Sequence, residues 1–349
     1  MTLTAAPAAT LTELAGRLRA GELSPREATQ AYLDRIGTLN PTVNAYIHVA
    51  AESALAAAGA AERVPAAERG PLWGVPLGIK DVVDVAGMNT TAASEILRHN
   101  YVEQDSTTVA KLRAAGAIIL GKINTHEFAL GAWTISPHFG PARNPWDTDR
   151  ICGGSSGGSG CAMAADLAAG TLGSDTAGSI RIPACFGGVT GIRPSTGRVS
   201  NGGSVPVSAT FDTIGPIART AEDCALLLRT IAGHDPERDP STHDLPVPDY
   251  VAGLGGGVKG LRIGVVAQRL EAGINPAVAA AVREAIEELR RLGAVVEEVR
   301  PQFTETAGVV HQLVMLPEAA QNHAQWLRDC PEKYGDDVRA RLLAGVFMP

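Results

Sequence analysis

Two serine-bearing loops and one lysine are the residues of this chain whose types and spacing could do chemistry. The first loop reads Cys152-Gly153-Gly154-Ser155-Ser156-Gly157-Gly158-Ser159, and the second Gly173-Ser174-Asp175-Thr176-Ala177-Gly178-Ser179-Ile180-Arg181. Of 39 glycines, 15 fall between positions 140 and 203, where an even spread would put about seven. Glycine lets the backbone turn sharply and approach other groups closely, so a site is expected in that window. A serine hydroxyl attacks well only when a base removes its proton. Lysine can be that base once burial makes its amine neutral. Lys80 closes an apolar run, Gly74-Val75-Pro76-Leu77-Gly78-Ile79, which suits a buried strand. Each feature taken alone has a plainer reading. The first loop could be a flexible linker, Lys80 a solvated side chain, and Ser179 the cap of a helix over Ile180-Arg181-Ile182. The GxxxxGK[ST] arrangement of a phosphate cradle is absent.

The elements that must position these residues alternate between helix and strand. Leu11, Leu14 and Leu18 recur at helical spacing up to Gly21, and Ser24-Pro25-Arg26-Glu27 reads as a capping box opening a second helix. Residues 50–62 form a third. Ser106 caps a helix from Thr107 to Ala115, and Ala117-Ile118-Ile119-Leu120 follows as a core strand. The first glycine loop leads into a helix of small residues, Ser159 to Ala169, and then a brief strand, Thr171-Leu172-Gly173. Residues 261–299 repeat strand, amphipathic helix and strand as a βαβ unit, and a helix is expected from Asp337 to Ala344. The whole, 1–349, is read as one domain: a helical segment 1–65, a core 66–233, a Pro- and Gly-rich linker or excursion 234–260, and a final part 261–349.

Composition narrows the function classes. With 45% hydrophobic and 19% charged residues the chain is a folded globule, and a net charge of −7 argues against a nucleic-acid surface or a polybasic membrane patch. No stretch of 18 apolar residues and no basic leader is present, so a cytoplasmic protein is expected. The five cysteines, at 152, 161, 185, 224 and 330, and the eight histidines lack metal-ligand spacing. His126-Glu127 opens an HExxH-like string that fails at Leu130. No metal and no cofactor is expected.

Lys80 in Gly78-Ile79-Lys80-Asp81, GGSSGGS at 153–159 and the second loop at 173–181, taken together, resemble the amidase signature family, serine hydrolases with a Ser–Ser–Lys triad. Asn144-Pro145-Trp146-Asp147, Gly191-Ile192-Arg193-Pro194-Ser195 and Gly197-Arg198 add to the likeness. The resemblance implies an α/β fold with a mixed central sheet flanked by helices on both faces, here without the C-terminal part with which family members generally continue. It implies Ser179 as nucleophile, Ser155 as a bridging serine preceded by a cis peptide bond, and Lys80 as base. It places the oxyanion hole at the N–H groups of Thr176, Ala177, Gly178 and Ser179, and an acyl pocket at Gly131, Ala132 and Trp133. Asp175 and Arg181 are expected to form a supporting ion pair. Many relatives carry glycine where this chain has Ala177, a change that is harmless only if position 177 keeps an ordinary backbone conformation.

A small carboxylic amide is the expected substrate, with no nucleic acid or membrane as direct partner; a homodimer is compatible with this reading. The departures at Ala177, Ile182 and Gly131-Ala132-Trp133-Thr134-Ile135 favour a stand-alone amidase. The alternatives are the glutaminase A subunit of a glutamyl-tRNA(Gln)/aspartyl-tRNA(Asn) amidotransferase and a shortened, inactive relative.

Overall fold

Local sequence rules set the first helices. Thr10 with Glu13, and Ser24 with Glu27, each close a reciprocal capping box, so helix α1 starts at Leu11 (Leu11–Ala20) and α2 at Pro25 (Pro25–Val43). Leu11, Leu14, Ala15 and Leu18 bury one face of α1. The structure, a computed structural model, describes residues 9–271 and 273–348.

Where the sequence reads as a single domain, the chain separates into two compact units, 1–250 with 315–349, and 251–314. The expected linker 234–260 is divided between them. Residues up to Tyr250 belong to the first unit, where Arg198 donates to the carbonyls of Leu245 and Pro246 and to the Tyr250 hydroxyl. The second unit is the βαβ motif read from the sequence: Arg262–Val266 and Val295–Val299 pair in parallel and are joined through the helix Pro276–Arg291.

The first unit is built on six strands: β1 (Tyr46–Val49), β2 (Pro76–Lys80), β3 (Ile118–Ile123), β4 (Gly170–Asp175), β5 (Thr190–Gly191) and β6 (Thr213–Ala218). Their order is β1-β3-β2-β4-β6-β5. The central three run parallel, and the flanking pairs are antiparallel. Every residue of β2, β3 and β6 is buried, as expected when helices cover both faces of a sheet. Along β3 the side chains alternate between two hydrophobic cores: Ile119 joins one, Ile118 and Leu120 the other. Lys80 ends β2, and Ser174 and Asp175 end its parallel neighbour β4. The carboxyl ends of adjacent parallel strands are where open α/β sheets gather their functional groups. The helix of small residues runs Gly157–Ala164, starting two residues earlier than expected, and seven of its eight residues are buried. Among the described residues no helix is long and apolar enough to cross a membrane.

Candidate active site

Strand β2 delivers Lys80 to a place with no access to solvent. Its Nζ lies 2.6 Å from Ser155 Oγ and 2.8 Å from Ser174 Oγ, so its hydrogen-bond partners are two hydroxyls. Burial opposes the ammonium form and pushes the Lys80 pKa down to about 7, against the opposing pull of Asp175 and Asp212. An amine poised near neutrality, next to a hydroxyl, can accept a proton at physiological pH.

Ser155 is also fully enclosed, and the Gly154–Ser155 peptide is cis. Its carbonyl is fixed by three donors: the His126 N–H at 3.0 Å, the Thr125 hydroxyl at 3.0 Å and the Thr134 hydroxyl at 3.1 Å. Gly154 is required here by close approach. A Cβ on it would stand 2.6 Å from the Trp133 nitrogen and 2.8 Å from the Ala132 carbonyl carbon. The segment carrying Ala132 and Trp133 therefore runs directly against the loop that holds Ser155. Gly131 lies on the same segment, against the His126 ring.

Ser156 ties the two serine loops together. Its N–H donates to the Ser179 carbonyl at 3.1 Å, its hydroxyl donates to the Ser174 carbonyl at 3.1 Å, and the Ser174 N–H returns to that hydroxyl at 3.2 Å. Ser179 is 9% exposed, whereas Lys80 and Ser155 are 0%, so of the three only Ser179 can meet a molecule arriving from outside. Among the described residues its hydroxyl has no hydrogen bond to Ser155. Catalytic contacts of this kind commonly tighten only around substrate.

Asp175 organises the second loop. Its carboxylate accepts from Arg181 Nε and Nη2, both at 3.0 Å, from the Gly178 N–H at 2.7 Å and from the Ile180 N–H at 3.1 Å. Arg193 Nε stands 3.4 Å away. Burial by itself would raise the Asp175 pKa, but the hydrogen bonds from Arg181, Gly178 and Ile180 outweigh it and hold the carboxyl below its usual range. Of the four N–H groups expected to form an oxyanion hole, at Thr176, Ala177, Gly178 and Ser179, that of Gly178 is donated to Asp175. Ala177 is not among the residues with a left-handed backbone, so alanine at that position costs no strain. Ser179 does not cap the following helix, Arg181–Gly187, whose N-cap residue is Ile180.

Several residues of the site escape the sequence reading. Ser174, the second partner of Lys80, sits in the second loop but carries no signature of its own. Thr125 and Thr134 act through the Ser155 carbonyl, and Asp212 accepts from the Thr176 hydroxyl and from the N–H groups of Val207 (2.8 Å) and Ser208 (3.0 Å). Only the pairing of distant loops reveals them. Among the described residues no group of three His, Cys, Asp or Glu is placed to hold a metal ion.

Comparison with known proteins identifies the family. A family model described as Amidase matches residues 27–345. The chain is 43% identical to the A subunit of the glutamyl-tRNA(Gln) amidotransferase of Geobacter metallireducens, over 97% of this chain and 74% of that protein. Among solved structures, a protein from a vestigial complex bearing on the origins of an s-triazine catabolic enzyme superposes with a TM-score of 0.92, at 35% identity over 98% of this chain and 74% of that one. The peptide amidase of Stenotrophomonas maltophilia superposes with a TM-score of 0.85, at 33% identity over 96% and 75%. This chain belongs to the amidase signature family and is an amidase, a hydrolase of linear carboxamide C–N bonds.

Proposed function

We propose that the chain hydrolyses the side-chain amide of glutamine, in the manner of an amidotransferase A subunit, by way of an acyl-enzyme on Ser179. The single observation that carries the chemistry is the enclosed Lys80 amine, 2.6 Å from Ser155 Oγ and with its pKa brought down to about 7. The substrate class rests on the relatives, since the Geobacter amidotransferase chain shares 43% of residues across nearly the whole of this one.

In this reading the Ser179 oxygen attacks the amide carbon as its proton passes to Ser155 and the Ser155 proton passes to Lys80. The negative charge that develops on the amide oxygen meets backbone N–H groups of Thr176, Ala177 and Ser179. One such donor is typically worth about 2.7–4 kcal/mol in the transition state. Collapse breaks the C–N bond, and the proton held by Lys80 returns through Ser155 to the departing nitrogen, which leaves as ammonia. Water then attacks the ester along the same relay, and the acid is released. Asp175 takes no proton in this scheme; with Arg181 it holds the loop in shape.

A stand-alone amidase is the second reading, favoured by Trp133 and by Ala177 and Ile182. Assays of ammonia release from glutamine, and from aliphatic and aryl amides, separate the two. Glutamine turnover that appears or rises with amidotransferase partner subunits supports the first. Turnover of simple amides without partners, and none of glutamine, assigns the second. No labelling of Ser179 by a fluorophosphonate would refute both.

A further inference from the structure

The C-terminal helix Asp336–Val346 reaches the pocket segment at consecutive points. The His126 imidazole, fully buried, has Nε2 3.0 Å from Asp337 Oδ2. The next residue, Glu127, accepts from the Gly335 N–H at 2.8 Å and from the Ser94 hydroxyl at 2.7 Å. Gly131 lies flat on the imidazole, where a Cβ would come within 2.3 Å of Nε2. The Trp133 indole meets the same imidazole edge to face, with ring centres 5.6 Å apart and planes at 89°. The Arg341 guanidinium stands 4.7 Å above the Trp133 ring. Asp337 and Arg341 are four residues apart on one helix and so share a face.

We propose that Asp337 and Arg341 are positioning residues that fix the Trp133 indole as a wall of the acyl pocket, Asp337 through the His126 ring and Arg341 by direct cation–π contact. The helix thereby sets the size of the acyl group that reaches Ser179. This rests on the readings of Ser179 as nucleophile and of Gly131, Ala132 and Trp133 as the acyl pocket. Burial depresses the His126 pKa to about 4, so near neutral pH the ring is uncharged and donates its Nε2–H to Asp337. The Asp337 contact is then a hydrogen bond that a neutral acceptor can replace. At the other side the cation holds the ring by its face, an attraction that needs the positive charge.

The test compares kcat/KM for a small aliphatic amide and a bulky aryl amide, after the unaltered enzyme has been shown to label at Ser179 with a fluorophosphonate. Asp337→Ala and Arg341→Ala should each raise the bulky-to-small ratio about fivefold, chiefly through KM. Trp133→Ala should shift it in the same sense and further. Asp337→Asn should keep the ratio of the unaltered enzyme, because its amide oxygen still accepts from His126. Arg341→Met keeps the apolar stem over the ring and serves as the charge-free variant if the alanine form does not fold. Ratios that stay within twofold in enzymes that still label, an equal loss of kcat on both substrates, or an Asp337→Asn variant that behaves like Asp337→Ala would overturn the inference. Absence of labelling in the unaltered enzyme overturns the nucleophile assignment, and this inference with it.

Discussion

Lys80 and Lys122 lie on neighbouring parallel strands, both with no exposed surface, and they have opposite kinds of partner. Register explains how they part. Lys122 stands beside Ile79, so Lys80, one residue further, points to the other side of the sheet, and Asp81 returns to the side of Lys122. There Lys122 Nζ is 3.1 Å from Asp81 Oδ1 and also donates to the Val83 carbonyl at 2.7 Å and to the Thr90 hydroxyl at 2.8 Å. Asp81 in turn accepts from the Thr91 N–H at 3.0 Å and from its hydroxyl. Burial lowers the Lys122 pKa and raises that of Asp81, and each partner opposes the other's shift. Lys80 has only hydroxyls within reach. A buried lysine given a carboxylate becomes a structural tie; one given hydroxyls alone is suited to the base we propose. The difference between the two is the partner, not the depth of burial.

Substitutions at each lysine sharpen this contrast, and the largest expected effect is at Lys80. Lys80→Ala should cut turnover by about a thousandfold or more while the melting temperature moves only slightly. Lys80→Arg should be equally inactive, since a guanidinium does not give up its proton. Near-normal rates in either variant would remove Lys80 as base. The reverse pattern is expected at the other site. Lys122→Met leaves the Asp81 charge buried and unpaired, and should cost about 3–5 kcal/mol in urea unfolding. Adding Asp81→Asn, which keeps an acceptor for Thr91, should restore part of that loss; no recovery would show that the ion pair is not what stabilises this region.

Smaller effects follow from the partners of Lys80. Ser174→Ala removes its 2.8 Å hydrogen bond and should slow turnover about ten- to thirtyfold with no change in fold. An unchanged rate would restrict the relay to Ser155 alone. The pH dependence has a definite sign. The neutral amine is the active form, so kcat should rise with pH, by about tenfold between pH 6 and pH 8, around a midpoint near 7. A profile that falls over that range would point to a different base.

Much of this was legible before the structure. The two serine loops, Lys80 at the end of an apolar run and the capping box at Ser24 are local signals, and local signals survive in a sequence. The βαβ pattern of 261–299 is visible for the same reason. Strand β6 was not, because Thr213-Ile214-Gly215-Pro216-Ile217-Ala218 carries a glycine and a proline that read as a turn. Pro216 faces the short edge strand β5, where its carbonyl still accepts from the Ile192 N–H. Nor could the sequence show that Asp81 belongs to Lys122 rather than to its neighbour Lys80. That division depends on which face of a strand each residue takes. The Gly178 N–H bond to Asp175 was hidden for a related reason, since nothing local says that this N–H turns back to Asp175.

The central claim, that Lys80 carries an uncharged amine at working pH, is open to direct titration. The chain has five lysines, so enzyme labelled with 13C at lysine Cε should give five resonances, with that of Lys80 identified by its loss in Lys80→Arg. A chemical-shift titration with a midpoint near 7 is the result expected. A Lys80 midpoint above about 9, close to that of an ordinary lysine, would contradict the account.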